Sequence, residues 1–202
     1  MVKDISIFKK ELLSERLSKI PPAGRAAFAA ACAQRLAPLY ARYKMLTGKG
    51  RLKFLEETLD KLWAHLQEIH FPVAERSQCV KKLGKLLTDE DDGMDGGYAD
   101  DALLAAIYAV NCSMGGEKLY AVRSSKYAFE VCYSYVLSRG DIDYHLPNST
   151  QLIYSDPIAQ AELARQQRDL DEITAACQEP GGLLALIPTL RARAIAEAIT
   201  FE

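Results

Sequence analysis

The sequence predicts an all-α protein, a single compact bundle of seven or eight helices over residues 1–202 as one domain. Nearly every segment places apolar residues three and four positions apart, which is the period of one helix face, and strand-like alternation over four or more residues is hard to find. Prolines and glycines fall between these segments and mark their ends. No linker interrupts the chain, so one domain of ordinary size is expected.

The first three predicted helices are separated by proline and glycine signals. Pro21-Pro22 ends the first helix and can open the second, because proline is tolerated in a first turn. Pro38 lies inside the second helix and predicts a kink or a break near Leu36. Gly48 ends that helix. Their apolar positions are Ile5, Phe8, Leu12, Leu13 and Leu17, then Phe28, Cys32, Leu36, Leu39 and Tyr43, then Leu52, Leu55, Leu59, Leu62, Trp63 and Leu66.

An acidic, glycine-rich loop is predicted in the middle of the chain. The fourth helix runs from Val73 to Leu87, and the loop follows over residues 88–97. The fifth helix then runs from about Tyr98 to Ser113. This helix is apolar on nearly all sides, which is typical of a buried central helix.

The last third of the chain is predicted to contain three helices. The sixth runs from Glu117 to Ser138 and is followed by a polar connection from Arg139 to Ser155. Ser155-Asp156-Pro157 reads as a cap with proline in the first turn, opening the seventh helix. The final helix begins near Leu183 and is bent or restarted at Pro188.

Composition limits the classes of function and the compartment. The net charge of −2 comes from dispersed basic and acidic residues, whereas a nucleic-acid binder usually carries a basic patch. No apolar run reaches the roughly 20 residues of a membrane span, and no signal sequence opens the chain. Dispersed thiols without a C-x-x-C pair indicate a reducing cytoplasm and a core role. The five cysteines are Cys32, Cys79, Cys112, Cys132 and Cys177.

The acidic loop supports two alternatives. Clustered carboxylates suit hard cations, which gives a metal-dependent enzyme that uses the loop Asp89–Asp95. A calcium-loop pattern starting at Asp91 fails, however, because Gly93 stands at its third position and Ala102 at its twelfth. The other reading is a solvated loop whose last carboxylates favour the start of the fifth helix.

No stretch carries a catalytic or cofactor motif. His65 and His70 are five apart and do not share a helix face, and Thr47-Gly48-Lys49-Gly50 lacks the spacing of a phosphate loop. Eight of the ten tyrosines lie between Tyr98 and Tyr154, which is typical of core packing or of an interface. We therefore predict no catalytic, cofactor or metal residue. The candidate partner-binding residues are Asp89, Asp91, Asp92, Asp95, Tyr120, Tyr127 and Tyr144.

Several short motifs stand out along the chain: Cys32 to Tyr40 with its Arg-x-x-Pro-x-Tyr pattern, Thr47-Gly48, Leu59 to Trp63, Tyr98 before an alanine-rich apolar helix, Ala121 to Ser125, and Asp156-Pro157-Ile158 leading to Cys177. Together they resemble the YjaG-like family of bacterial proteins of unknown function, which is defined by domain of unknown function 416. The resemblance covers roughly residues 25–190. It implies an all-helical fold, no established activity and no catalytic residues to transfer. For families of this kind, roles in signalling or in immunity against toxins have been suggested.

These observations predict a non-enzymatic, cytoplasmic protein-interaction module, either a regulatory partner or an immunity-type toxin neutraliser. The acidic loop would suit a basic partner. A protein partner is expected, without cofactor, nucleic acid or membrane, and a homodimer stays open. The competing hypothesis is the metal-dependent enzyme described above.

Overall fold

The structure, a computed structural model, describes residues 8–88, 93–142, 145 and 147–201. Nine helices lie within these ranges. No strand occurs within those ranges, so the all-α prediction is confirmed. The helices are α1 Lys10–Ser18, α2 Pro22–Thr47, α3 Leu52–Leu66, α4 Val73–Gly84, α5 Gly93–Gly115, α6 Lys118–Ser138, α7 Ser149–Ser155, α8 Pro157–Ala176 and α9 Gly182–Ala196.

The centre of the molecule is a layer formed by α2, α5 and α6, each packed on the other two. Helix α4 packs on α5, and α3 packs mainly on α2 and also touches α5. Helix α8 packs on α2 and α6, and α9 packs on α2 and α8. Alanines line the faces where α2 and α5 meet, and short side chains allow a close approach of the two axes. The fully buried alanines include Ala27, Ala29, Ala30 and Ala31 of α2 and Ala99, Ala105, Ala106 and Ala109 of α5.

A buried hydroxyl group joins the three central helices. Ser124 of α6 is fully buried, and its Oγ lies 2.9 Å from the carbonyl oxygen of Ala29 and 3.1 Å from that of Ala105. The single hydroxyl proton is therefore shared between acceptors on α2 and α5. Because buried polar groups are costly without partners, this position favours a small donor. Ser124 has a packing role.

Helix α2 runs unbroken through Pro38, so of the predicted kink or break near Leu36 the break is wrong, and the kink stays a prediction. Proline removes one helical hydrogen bond, and an interior position costs about 3 kcal/mol. Leu36 and Leu39 on either side are buried in the core, and burying each contributes about 1.5–3 kcal/mol. Packing therefore outweighs the missing bond. Pro188 likewise lies inside an uninterrupted α9.

Other predicted boundaries need correction. The fourth helix ends at Gly84 rather than Leu87, and α5 begins at Gly93 rather than Tyr98. Residues 93–97, expected in the acidic loop, are therefore helical. The polar connection before Asp156 contains the short helix α7, which makes nine helices rather than seven or eight. Among the predicted core positions, Leu12 is 54% exposed, while Ile5 lies outside the described residues.

Two predicted helix ends are confirmed. Asp156 caps α8, because its carboxylate accepts a hydrogen bond of 2.8 Å from the backbone N–H of Ile158. Gly48 follows α2 with φ +72° and donates its N–H to the carbonyl of Lys44. The left-handed conformation is the one that glycine adopts without strain.

The turn after α5 predicts a sharp difference between two glycines. At Gly116, φ is +67° and an added Cβ would lie 2.8 Å from Pro22 Cα, whereas a Cβ at Gly97 would meet nothing within 4 Å. Gly116→Ala should therefore lose about 2–4 kcal/mol of unfolding free energy, from strain and overpacking together. Gly97→Ala should gain about 0.5–1 kcal/mol, as expected inside an exposed helix. Urea unfolding of both variants measures this, and equal effects would contradict the close approach of α5 to Pro22.

Candidate functional site

The surface between α5 and α6 carries three stacked tyrosines, which we call the tyrosine face: Tyr108, Tyr120 and Tyr127. Tyr120 and Tyr127 are seven residues apart and so lie on one side of α6. The ring of Tyr108 stacks between them, with centroid distances of 6.1 Å to Tyr120 and 5.8 Å to Tyr127. All three side chains are half-buried. Two of the predicted partner-binding residues are thus brought together, and Tyr108 is added to them.

Charged groups surround the tyrosine face. The guanidinium of Arg123 lies 5.2 Å from the ring centroid of Tyr108 and donates a hydrogen bond of 3.2 Å to its hydroxyl. Lys126 and Glu130, one turn apart on α6, form an ion pair of 2.8 Å. A cation over an aromatic ring contributes about 0.5–1 kcal/mol at an exposed site. Arg123 therefore helps to hold the Tyr108 ring in its stacked position.

Asp101 is the carboxylate that this surface perturbs most. Burial raises its pKa to about 7, the negative charges of Glu130 and Asp100 add to the rise, and Lys126 opposes it. Tyr127 lies within the electrostatic reach of Asp101 and Glu130. Asp101 therefore changes its charge near neutral pH at the edge of the tyrosine face.

Asp100 of α5 holds Thr88, the residue that precedes the acidic segment in the sequence. Thr88 donates from its backbone N–H to Asp100 Oδ1 at 2.7 Å and from its hydroxyl to Oδ2 at 3.1 Å. The negative charge of Asp100 also acts on Asp101. Among the described residues, Asp100, Asp101 and Glu130 therefore bring three carboxylates to the edge of the tyrosine face.

Of the remaining predicted partner-binding residues, Asp95 lies within the described part of the chain, and it does not join the tyrosine face. Asp95 lies in the first turn of α5 and pairs with Arg42 of α2 at 3.0 Å. It is 13 residues from Tyr108, or about 20 Å along a helix. Three predicted acidic residues and one tyrosine lie outside the described residues: Asp89, Asp91, Asp92 and Tyr144. Within the described ranges, no three His, Cys, Asp or Glu side chains are grouped to hold a metal ion.

Other aromatic residues of the tyrosine-rich region pack internally. Phe129 stacks with Phe8 at 5.5 Å and with Tyr154 at 5.1 Å, forming a small cluster beside the main core. Tyr135 stacks on Phe201 at 3.8 Å and so fixes the segment after α9. The tyrosine-rich region thus serves both core packing and the exposed tyrosine face.

A buried ionic cluster, which the sequence did not reveal, connects α2 with α8 and α9. The guanidinium of Arg35 donates two hydrogen bonds to Glu162, of 2.9 Å and 3.1 Å, and one of 2.7 Å to Asp169. All three side chains are at most 1% exposed. Asp169 also accepts from Arg193 at 2.8 Å, and Gln166 donates to Glu162 at 2.9 Å.

This cluster is electrostatically satisfied. Burial opposes the charge on Arg35, but attraction to Glu162 and Asp169 keeps its pKa above the ordinary value. An uncompensated charge at this depth would be very costly. The bidentate geometry toward Glu162 gives a strong and directional contact. The cluster therefore fixes how α8 packs on α2.

The motifs of the family resemblance serve this architecture. Arg35 forms the ionic cluster, and Tyr40 accepts a 3.0 Å hydrogen bond from the backbone N–H of Arg51 through its hydroxyl. Trp63 Nε1 donates to the side chain of Gln34 at 3.0 Å, which ties α3 to α2. The motif residues named here build the core and the turns.

The cysteines fit the predicted core role. Cys32, Cys79, Cys112 and Cys132 are buried, and Cys177 is half-buried. Burial raises the pKa of Cys112 to about 12 and raises that of Cys177. These thiols therefore stay protonated at neutral pH, which makes them poor nucleophiles.

A concave groove lies at one end of the bundle, where five helices begin or end. Its volume is about 660 Å³, and we call it the end groove. Its wall includes His65 at the end of α3, whose Nε2 accepts from Arg76 at 2.9 Å. Burial and then the charge of Arg76 lower the pKa of His65, so the ring is neutral at pH 7. Arg76 also donates to the carbonyl of Ser113 at the end of α5.

These features define an all-helical protein in which the motif residues Arg35, Tyr40 and Trp63 build the core and the turns. The three rings of the tyrosine face lie outside those motifs. A model of proteins of unknown function, DUF416, matches residues 13–200. The chain belongs to the DUF416 family, which confirms the resemblance at the level of that family. No curated protein matches the chain in sequence.

A solved structure supports the fold. The crystal structure of a DUF416 family protein from Shewanella baltica OS155 aligns with 93% of this chain and 98% of its own, with a TM-score of 0.79 and 19% sequence identity. At that identity the likeness concerns the fold alone. None of the helices in the described ranges is both long and apolar enough to cross a membrane.

Removing the buried guanidinium of Arg35 should lower the unfolding free energy far more than removing an exposed guanidinium. Arg35→Met leaves Glu162 and Asp169 buried without their partner, so we expect a loss of about 3–5 kcal/mol. The control Arg16→Met breaks the exposed pair with Asp171, with side chains 23% and 59% exposed, and should cost under about 1 kcal/mol. Adding Glu162→Gln and Asp169→Asn to Arg35→Met should recover part of the loss. Denaturant unfolding measures all three, and additive losses would argue against the coupling.

Asp101 predicts a pH dependence of stability. Its pKa is about 7 in the folded state against 3.8 for an ordinary aspartate side chain, so near neutral pH the folded state binds a proton that the unfolded state has released. The stability from this proton is present below pH 4 and is lost as pH rises through 7. As the pH changes from acidic to alkaline, the unfolding free energy of Asp101→Asn should therefore rise by about 1–2 kcal/mol relative to that of the parent, allowing for solvent screening. Glu56→Gln, an exposed change on α3, is the control. A pH-independent difference for Asp101→Asn would refute the assignment.

Proposed function

We propose that this chain is a non-enzymatic, cytoplasmic protein-interaction module that binds a protein partner through the tyrosine face. The observation that carries the proposal is the stack of Tyr108, Tyr120 and Tyr127, half-buried at the surface between α5 and α6. Tyrosine gives a large, rigid contact area with a polar tip and is enriched at protein interfaces. The three rings are also held in place by one another, which lowers the entropy lost on binding.

The charge around this face supports a basic segment of the partner. Among the described residues, Asp100, Asp101 and Glu130 place three carboxylates on α5 and α6 near this face. Complementary charges steer association and select the correct partner. A lysine or arginine of the partner could stack on an exposed tyrosine ring and pair with a carboxylate. A regulatory partner and a toxin neutralised by this chain both fit this chemistry.

Site-specific photocrosslinking tests the proposal. A photoreactive phenylalanine replaces Tyr120 in one variant and Met45, which is 76% exposed on α2, in the control. In the native host, the first variant should give one discrete protein adduct, and the control should not. Arg123→Glu tests whether the orientation of the Tyr108 ring, which Arg123 helps to hold, affects the yield of the adduct. Tyr127→Ala in the Tyr120 variant should reduce the adduct several-fold, since hot spots of binding energy are often aromatic.

The outcome separates the two roles. If the captured protein is a toxin whose activity this chain suppresses, the role is immunity, and if it is a regulator or its target, the role is regulatory. The same adducts at positions 45 and 120, or an adduct unaffected by Tyr127→Ala, would refute the tyrosine face as the binding surface. Added salt should weaken a contact with a basic segment.

A further inference from the structure

The end groove has the size and the lining of a small-molecule site. Its volume of about 660 Å³ lies within the range of about 300–1,000 Å³ that is usual for ligand pockets. The start of α2 and the start of α9 contribute apolar walls, among them Pro22, Ala26 and Leu183. Leu184 on the same wall is 40% exposed. The groove can therefore bury the apolar body of a ligand.

The charged side chains that line the end groove are both carboxylates. Glu68 after α3 and Glu179 after α8 are exposed at its rim. Neither forms an ion pair within the part of the chain that the structure describes. A bound ligand would therefore meet two negative charges that no internal cation neutralises.

The nearby guanidinium groups lie behind the wall and are occupied. Arg25 donates to the carbonyls of Leu17, Ile20 and Gly116, and Arg76 donates to Ser113 and His65. Neither arginine lines the groove. Three helices end at the groove and two begin there, so their partial charges of about 0.5 at each end nearly cancel. The two glutamates therefore set the preference of the groove for charge.

Glu68 has an unusual backbone conformation at the rim of the end groove. The end of α3 is a Schellman motif, with hydrogen bonds of 3.0 Å from Ile69 to Ala64 and from Glu68 to His65. Glu68 has φ +66° at the position where such motifs usually place glycine. A non-glycine residue is strained in that conformation, and among the described residues no ion pair of its carboxylate offsets the strain.

We propose that the end groove binds a small organic cation, with the apolar body of the ligand against the α2 and α9 walls and its ammonium group between Glu68 and Glu179. The tyrosine face and its partner play no part in this site, so either proposal can fail alone.

Cys177 offers a direct measurement of occupancy. Its half-buried thiol lines the groove. Cys112 also lines the groove but is fully buried, and the other three cysteines are buried elsewhere. Modification by a thiol-specific reagent at mildly alkaline pH therefore reports on the groove, with Cys177→Ser as the blank. A ligand that fills the groove should slow the modification.

Three probes separate shape from charge. n-Octylammonium has an apolar body and a positive head, octanoate has the same body with a negative head, and spermidine is cationic without an apolar body. We expect n-octylammonium to protect Cys177 at concentrations about tenfold lower than octanoate does, since two exposed ion pairs together contribute on the order of 1–2 kcal/mol. Spermidine should protect weakly.

The charge variants decide the assignment. Glu68→Gln combined with Glu179→Gln should remove the preference for n-octylammonium over octanoate. The matched control, Glu11→Gln with Glu56→Gln, makes the same change of net charge at exposed sites outside the groove lining and should keep the preference. Leu184→Trp should fill the groove and weaken both eight-carbon probes. No protection by n-octylammonium, equal protection by octanoate or by spermidine, or a preference that survives the double glutamate variant would each overturn the proposal.

Discussion

The arrangement of the C-terminal third depends on one buried arginine. Arg35 is fully enclosed, and its guanidinium has carboxylate partners only because α8 brings Glu162 and Asp169 to it. Two acidic residues on one helix, seven positions apart, fix both the rotation and the height of α8 against α2. A slide of α8 by one turn would leave the three charges without this geometry. The cluster thus fixes the register of α8 against α2, in addition to any contribution it makes to stability.

The same turn of α2 also holds the segment after α9. Pro38 has no N–H to donate to the preceding turn, and nearby the carbonyl of Arg35 accepts a 2.8 Å hydrogen bond from the backbone N–H of Ile199. Arg42, two turns further, donates to the carbonyl of Phe201, whose ring stacks on Tyr135. One helix therefore positions α8 through side-chain charges and the final segment through backbone and aromatic contacts.

Much of the fold could be read from local signals. The cap at Asp156 and the left-handed Gly48 depend on a few neighbouring residues, and both predictions are confirmed. The start of α5 could not be read in this way, because glycines at 93, 96 and 97 disfavour a helix locally, and tertiary packing of Gly96 and Tyr98 overrides that preference. The short α7 was concealed for a related reason: a helix of 7 residues shows too few periods to be recognised.

The candidate sites were less accessible to prediction than the fold, for a physical reason. The tyrosine face joins residues from two helices, and the tyrosine content predicted Tyr120 and Tyr127 but not the ring of Tyr108 between them. Arg35 and Glu162 are 127 positions apart, so no spacing rule connects them.

The side chains of the motifs that carry the family resemblance mainly pack and form hydrogen bonds inside the protein. Arg35, Tyr40 and Trp63 use their polar atoms inside the protein. A solved DUF416 family protein with 19% identity to this chain has a similar fold. Because the family is one of unknown function, membership in it transfers no ligand to this chain. Tyr108 and Glu68, on which the two proposed sites depend, lie outside the motifs, so the motifs alone could not predict either site.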